Sequence, residues 1–262
     1  MSGVLDVARE GSVLRLTLDD QPTRNSLSEA MIESLAHAFE EAREDASLKV
    51  IVIAAKGPVF SSGHNLKELT SHRNDTDRGK AYFQKIMHEC SAMMQAIAAF
   101  PVPVIAEVQG AASAAGCQLV ATCDLAIAAD TASFSTPGVN IGLFCSTPMV
   151  PLSRTVSEKH AKEMLFTGDM IDVQHAARIG LVNRAVPASE LRSAVAALTA
   201  KIAAKARATV VTGKNAFNRQ RGLPLHEAYA AMSATMTENL LRADACEGIA
   251  AFIEKRKPIW PA

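Results

Sequence analysis

Residues 105–142 read IAEVQGAASAAGCQLVATCDLAIAADTASFSTPGVNIG, and the reading of this stretch decides the fold. The run 102–108, rich in β-branched residues, broken by Pro103 and bounded by Pro101 and Gly110, predicts a buried strand. Seven small residues follow, from Ala111 to Gly116 and Cys117, and then the helical pattern Gln118-Leu119-Val120-Ala121. Small side chains at a helix start let a ligand approach the backbone, where the first four N–H groups have no intrahelical partner. The same wealth of Ala and Gly also fits tight packing with no ligand at all. Residues 124–129 predict a second buried strand, and 133–142, with Pro137, Gly138 and Gly142, a loop.

Upstream, residues 56–69 read KGPVFSSGHNLKEL. They follow an apolar strand over 50–54, pass through Gly57-Pro58, and enter a short helix after Ser61-Ser62-Gly63. Two strand-loop-helix junctions rich in small residues can aim backbone N–H groups at one point. Paired backbone donors are what an oxyanion hole needs, and removing one such donor typically costs about 3–4 kcal/mol of transition-state stabilisation.

Composition narrows the function classes. The chain has 262 residues, enough for one substantial core with an appendage, and no net formal charge, against the basic surplus of a general nucleic-acid binder. Five cysteines (Cys90, Cys117, Cys123, Cys145, Cys246) form no CxxC spacing and read as reduced thiols, which suggests a cytoplasmic protein. The start, MSGVLDVAREGSVLRLTL, lacks the apolar core of a signal peptide, and Gln118 and Asp124 interrupt the most hydrophobic region. A soluble protein without membrane contact is expected.

In chain order, strands are expected near 4–8 and over 13–18, and Ser28 is placed to cap a helix. Met31, Ile32, Leu35, Phe39 and Ala42 share one face of that helix. The polar segment 71–80, SHRNDTDRGK, predicts a mobile loop near a site entrance. Phe83, Ile86, Met87, Cys90, Met93 or Met94, and Ile97 mark a longer helix whose methionines serve as core filler. Helices are expected over 156–166 and 172–178, and a last strand over 181–186. From 188 onward the pattern is helical, with Leu191, Val195, Leu198 and Ile202, then Leu225, Tyr229, Met232, Met236 and Leu240. The expected organisation is α/β over 1–186 and helical over 187–262.

The pair FSSGHNLKEL and AASAAGCQLVATCDLAIAADTASFSTPGVNIGL resembles the enoyl-CoA hydratase/isomerase (crotonase) superfamily, and the resemblance runs from Pro22-Thr23-Arg24-Asn25-Ser26-Leu27 to the terminal AFIEKRKP. GVNIGLFCSTP, with SSGHNLKEL and AAGCQLVATCD, looks closest to the subgroup called enoyl-CoA hydratase domain-containing protein 3. The resemblance implies a crotonase-like β-β-α spiral core with a helical C-terminal trimerisation region, a homotrimer or homohexamer, and an acyl-CoA substrate in fatty-acid or related thioester metabolism. It implies no cofactor beyond the CoA moiety and no metal. The backbone N–H groups of His64 and Ala115 would hold the thioester oxygen, with Asn65, Leu66 and Lys67 lining the CoA loop and Phe252 and Lys255 contacting the nucleotide end.

Two departures stand out. Where hydratases of the family carry two glutamates, this chain has Gln118 and Gly138. A Gln amide orients a water but does not reversibly take its proton, and glycine supplies nothing. One positioned acid or base is typically worth about 10²–10⁴ in rate, so ordinary hydration is doubtful. His64, Glu68, Glu107, Asp130 and Cys145 are other candidates near the site segments, and a Cys nucleophile would need a depressed pKa. Asp124 reads as structural. Two functions remain: an enzyme stabilising a thioester enolate, or a non-catalytic acyl-CoA binder that keeps the fold. No G-x-S-x-G, P-loop, G-x-G-x-x-G or HExxH occurs.

Overall fold

The computed structural model describes residues 3–261. Strands β1 (Leu5–Glu10) and β2 (Val13–Leu18) form a hairpin that leads into α1 (Glu29–Arg43). Three turns of one pattern follow, each with a strand in a large sheet, a short strand in a second sheet, and then helix. The first is β3 (Val50–Ala55), β4 (Val59–Ser61), α2 (Leu66–Ser71) and α3 (Lys80–Ala98). The second is β5 (Val104–Val108), β6 (Ala111–Ser113) and α4 (Ala115–Thr122). The third is β7 (Leu125–Ala129), β8 (Ser133–Ser135), a 3-10 turn (Pro137–Ile141) and α5 (Ser146–Thr155). Then come α6 (Glu158–Thr167), β9 (Ile171–Asp172), α7 (Val173–Arg178) and β10 (Arg184–Val186). Four helices close the described chain: α8 (Leu191–Ala203), α9 (Arg207–Gln220), α10 (Leu225–Leu240) and α11 (Ala243–Ile253).

The large sheet runs β1-β2-β3-β5-β7-β10, parallel from β2 onward, and the small one β4-β6-β8-β9. This is the expected β-β-α spiral. Parallel strands need cover on both faces, which explains why VIVIAA and VIAEV are buried almost throughout. Ile51 and Ile53 face the cluster containing α1 and α3, and Val50 and Val52 join Leu191 and Val195 of α8 on the other side. The α1 face is as expected, with Ser28 Oγ accepting from the Met31 amide at 3.2 Å. Buried Arg15 and Glu107 form a bidentate pair across the sheet, at 3.1 and 2.6 Å.

Several boundaries differ from expectation. Asp124 stands outside β7, because its carboxylate accepts from the Val104 amide at 2.7 Å and from Lys214 at 2.6 Å, tying strand ends and α9 together. Pro103 has no N–H to donate, so β5 begins after it. The expected loop over 133–142 contains β8 and the 3-10 turn. Nor is 71–80 a free loop: a 3-10 turn (His72–Asn74) follows α2, His72 stacks on Tyr82, and Asp77 accepts from the amides of Gly79 and Ala81 at 3.0 and 2.8 Å. Helix α5, with Pro151 inside it, was not expected.

The helices α9 and α10 bury no residue, and α11 buries only Ala251. The apolar positions that mark α10 face outward, with Leu225 76% and Tyr229 70% exposed. Among the described residues, no helix is long and apolar enough to cross a membrane.

Candidate active site

The ends of β4, β6 and β8 carry the three segments that meet at the candidate site. Leu27 donates to the Gly63 carbonyl at 2.8 Å, and Ser62 donates from its amide to Arg24 and from its hydroxyl to Thr23, both at 3.1 Å. These bonds strap the 23–27 loop to 61–64. The Ala114 amide donates to the Ser135 carbonyl at 2.9 Å, fixing the second loop to the third.

Glycine is required at two of the contacts. A Cβ on Gly63 (φ +88°) would stand 2.9 Å from Ala114 Cβ and 3.2 Å from the Ala115 nitrogen. One on Gly116 would lie 2.3 Å from the Ser61 carbonyl oxygen. The loops therefore touch through their backbones. Ala114 takes φ 49° and ψ −117°, a conformation that costs a residue with a Cβ about 1–3 kcal/mol and is held here by the contacts on either side.

Among the described residues, the backbone N–H groups of His64 and Ala115 donate to no carbonyl or side chain. Ala115 is the first residue of α4, where an unpaired amide is the rule, and His64 closes a bridge with Leu27 that leaves its own amide outside the pairing. Two free donors thus flank the Gly63–Ala114 contact. Asn65 uses its side chain to cap α2, accepting from the Lys67 and Glu68 amides at 3.1 and 3.5 Å, while Leu66 and Lys67 are exposed.

Unpaired polar atoms gather on the same segments. Both ring nitrogens of His64, Gln118 Oε1 and Thr136 Oγ1 are buried without a hydrogen-bond partner. Burial pushes the His64 imidazole below its usual range, against a weaker opposing pull from the Leu27 carbonyl, so the ring is neutral near pH 7. Gln118 is 4% exposed and lines a groove of about 1000 Å³ between α3, α4, α5 and α9. That groove is bounded by neither His64 nor Ala115; from the site segments it takes Gln118 together with Ala121 and Thr122 at the far end of α4 and residues 123–125 beyond it.

The other carboxylates are engaged elsewhere. Glu107 is held by Arg15, Asp130 accepts from the Ala188 amide at 3.1 Å, and Glu68 from the Glu29 amide at 3.2 Å. Cys145 is no activated nucleophile: burial raises its thiol, with the Gly138 amide opposing more weakly. Gly138 does not have positive φ, contrary to the conformation its type suggests; space is what constrains it, since an added Cβ would meet the Leu143 carbonyl oxygen at 2.8 Å. Phe252, 85% exposed, lies at the end of α11 and Lys255 just beyond it, and among the described residues no hydrogen bond ties that helix to the oxyanion loops. Among the described residues, no three His, Cys, Asp or Glu side chains gather as for a metal. Sequence reading missed Thr136, which there is only a polar residue before Pro137, and the strain at Ala114, which no residue type announces.

Residues 8–262 match the enoyl-CoA hydratase/isomerase family. The protein named enoyl-CoA hydratase domain-containing protein 3, mitochondrial, from Xenopus laevis is 47% identical over 252 residues, covering 96% of this chain and 84% of that protein. Its Homo sapiens counterpart is 48% identical over 248 residues, covering 95% and 80%. Among solved structures, an enoyl-CoA hydratase from Mycobacterium smegmatis superposes with TM-score 0.94 at 45% identity, covering 99% of both chains. The human domain-containing protein 3 gives TM-score 0.94 at 46% identity, covering 98% and 100%. The mitochondrial names of the vertebrate relatives overturn the cytoplasmic expectation. That expectation rested on reduced thiols, which fit any reducing compartment.

Proposed function

Because this chain belongs to the enoyl-CoA hydratase/isomerase family, we propose that it binds an acyl-CoA with the thioester oxygen between the His64 and Ala115 amides. The observation that carries this reading is that both amides are unpaired on loops in backbone contact. A thioester carbonyl accepts both bonds, and they strengthen as negative charge moves onto the oxygen in an enolate-like transition state. CoA serves as the handle, with Lys67 and, from a neighbouring subunit, Phe252 and Lys255 as its contacts. No further cofactor enters the reading.

Ordinary water addition to an enoyl-CoA does not fit. It needs a base for the water and an acid for the α carbon, and the amide of Gln118 and the bare backbone of Gly138 supply neither. A binder without turnover is the second reading, and the tight packing around Gly138 favours it. We further propose a homotrimer or a dimer of trimers. Outward apolar residues on α10 and α11 and a separate patch at Ile141, Leu143, Phe144, Phe166 and Met170 support it, since two different patches on one chain join head to tail into a ring. Titration calorimetry and turnover assays over a panel of saturated and unsaturated acyl-CoAs test the core reading. Binding that is lost when the thioester carbonyl is replaced by a methylene supports it; indifference to that carbonyl overturns it.

A further inference from the structure

Helix α11 closes on a lysine where helices commonly close on glycine. The Arg256 amide donates to the Ala251 carbonyl at 3.0 Å and the Lys255 amide to the Phe252 carbonyl at 3.3 Å, the bond pair of a helix-ending turn whose reversing residue is left-handed. That residue is Lys255, at φ +55°. A side chain disfavours this conformation and glycine does not, so a lysine persists there only where its surroundings hold the turn closed. Arg256 and Glu247 do so. The guanidinium reaches back along α11 and grips the Glu247 carboxylate with both arms, at 2.6 and 2.9 Å. The same carboxylate accepts from the Ile259 amide at 2.6 Å, and Trp260 donates to the Ala204 carbonyl just past α8 at 2.8 Å. Resting on the acyl-CoA reading above, we propose that Glu247 and Arg256 are positioning residues: their clasp keeps Lys255 in a strained conformation that fixes its ammonium for the phosphates of CoA, and the helix end is less stable for it.

Packing does not account for the lysine. Glu247 and Glu254 are both taken by Arg256, so among the described residues Lys255 and Lys257 have no acidic partner. Attraction to the helix dipole favours a cation in the last turn, but an unstrained position there would serve equally well. Glycine at 255 would close the same turn without strain. What a lysine adds is a long, exposed point charge of the kind that meets phosphate. Phe252, 85% exposed, lies three residues before it, and an aromatic face beside two free ammoniums suits a nucleotide, whose base stacks and whose phosphates accept. The clasp fixes where those groups stand relative to one another. With Arg256 released, the turn could relax and Lys255 would leave the left-handed region.

The test uses two thioesters on the full chain by titration calorimetry: acetyl-CoA, and acetyl-pantetheine, which lacks the nucleotide and its phosphates. The natural protein should prefer acetyl-CoA. Lys255→Gly should raise the melting temperature by about 2 °C or more while weakening acetyl-CoA about 5–10-fold. Arg256→Gln should weaken acetyl-CoA by a similar factor, and in both variants acetyl-pantetheine should stay within about 2-fold of its natural affinity. A Lys255→Gly protein that melts higher and binds acetyl-CoA as before would show that the strain serves no ligand, overturning the inference. One that melts lower would overturn the assignment of strain. A loss in Arg256→Gln equal for both thioesters would mark a merely structural clasp and overturn the positioning role. Equal affinity of the natural protein for the two thioesters would overturn the inference and leave the acyl-CoA reading intact, whereas binding of neither would sink both. Because glycine relieves the turn, Lys255→Gly stays decisive even where Arg256→Gln loosens α11.

Discussion

A side chain at Gly138 would begin 3.0 Å from the Cys145 thiol sulfur, so the place where the family resemblance implies a carboxylate is filled here by packing. The natural protein should therefore hydrate crotonyl-CoA about 10²–10⁴-fold more slowly than ordinary family hydratases. Gln118→Glu alone should recover little of this. Adding Gly138→Glu should destabilise the loop instead of completing the pair, since the Leu143 carbonyl is backbone and cannot step aside. Stopped assays on crotonyl-CoA and melting curves of both variants check it; hydration at about 10 per second by the natural protein would refute it.

Gly63→Ala should separate the two amide-bearing loops. The added methyl meets Ala114 and Ala115 in a left-handed backbone conformation, so a stability loss of about 1–3 kcal/mol is expected with acyl-CoA affinity down 10-fold or more. Urea unfolding and calorimetry read the two effects separately.

Thiol reactivity should be nearly silent in the folded state. Burial pushes the Cys90 and Cys117 thiols up to about 12 and raises Cys123 and Cys145, whereas Cys246 is exposed. An Ellman titration at pH 8 should count one fast thiol, and all five in denaturant. Acids raised in the fold stay protonated while the unfolded chain ionises. Their contribution is therefore intact below about pH 8.5, the ordinary thiol value, and stability should fall as pH rises beyond it.

His64 works in the opposite direction. A histidine lowered by burial stays neutral in the fold while the unfolded chain takes up a proton, so its contribution is complete above about pH 6.5 and is lost as pH falls below that. Stability should drop between pH 7.5 and 5.5, and His64→Asn should flatten the slope. Identical slopes in urea titrations of the two proteins would refute the assignment.

Sedimentation at micromolar concentration should show a trimer or hexamer. Leu225→Lys with Tyr229→Glu should shift it toward monomer, because both side chains stand outward on the unburied face of α10.

The central strands of the large sheet were legible because they are buried on both faces and write continuous apolar runs such as VIVIAA, while the spiral itself was implied only by the family resemblance. Helix faces were legible for the same reason, as Met31, Leu35 and Phe39 show. Periodicity alone did not give the closing of the strands into two sheets, for that depends on pairings between segments some fifty residues apart, such as Ile51 with Val104. At the site, the small residues announced close backbone approach but not its cause. Ser61 forbids a side chain at Gly116, and nothing near 116 in the sequence says so. Glu107 sits in a site-forming segment and looked available until Arg15, ninety-two positions away, was found against it.

The small sheet has one more consequence. His64 and Ala115 follow adjacent rungs, β4 and β6, so the two amide-bearing loops leave the sheet from neighbouring strands, which lie about 4.8 Å apart. The sheet is a ruler, and the chemistry reads its spacing from main chain alone. The side chain at 115 is held by its packing and not by the chemistry, whereas deleting one residue between Ser61 and His64 would move a graduation mark and carry the first amide away from the second.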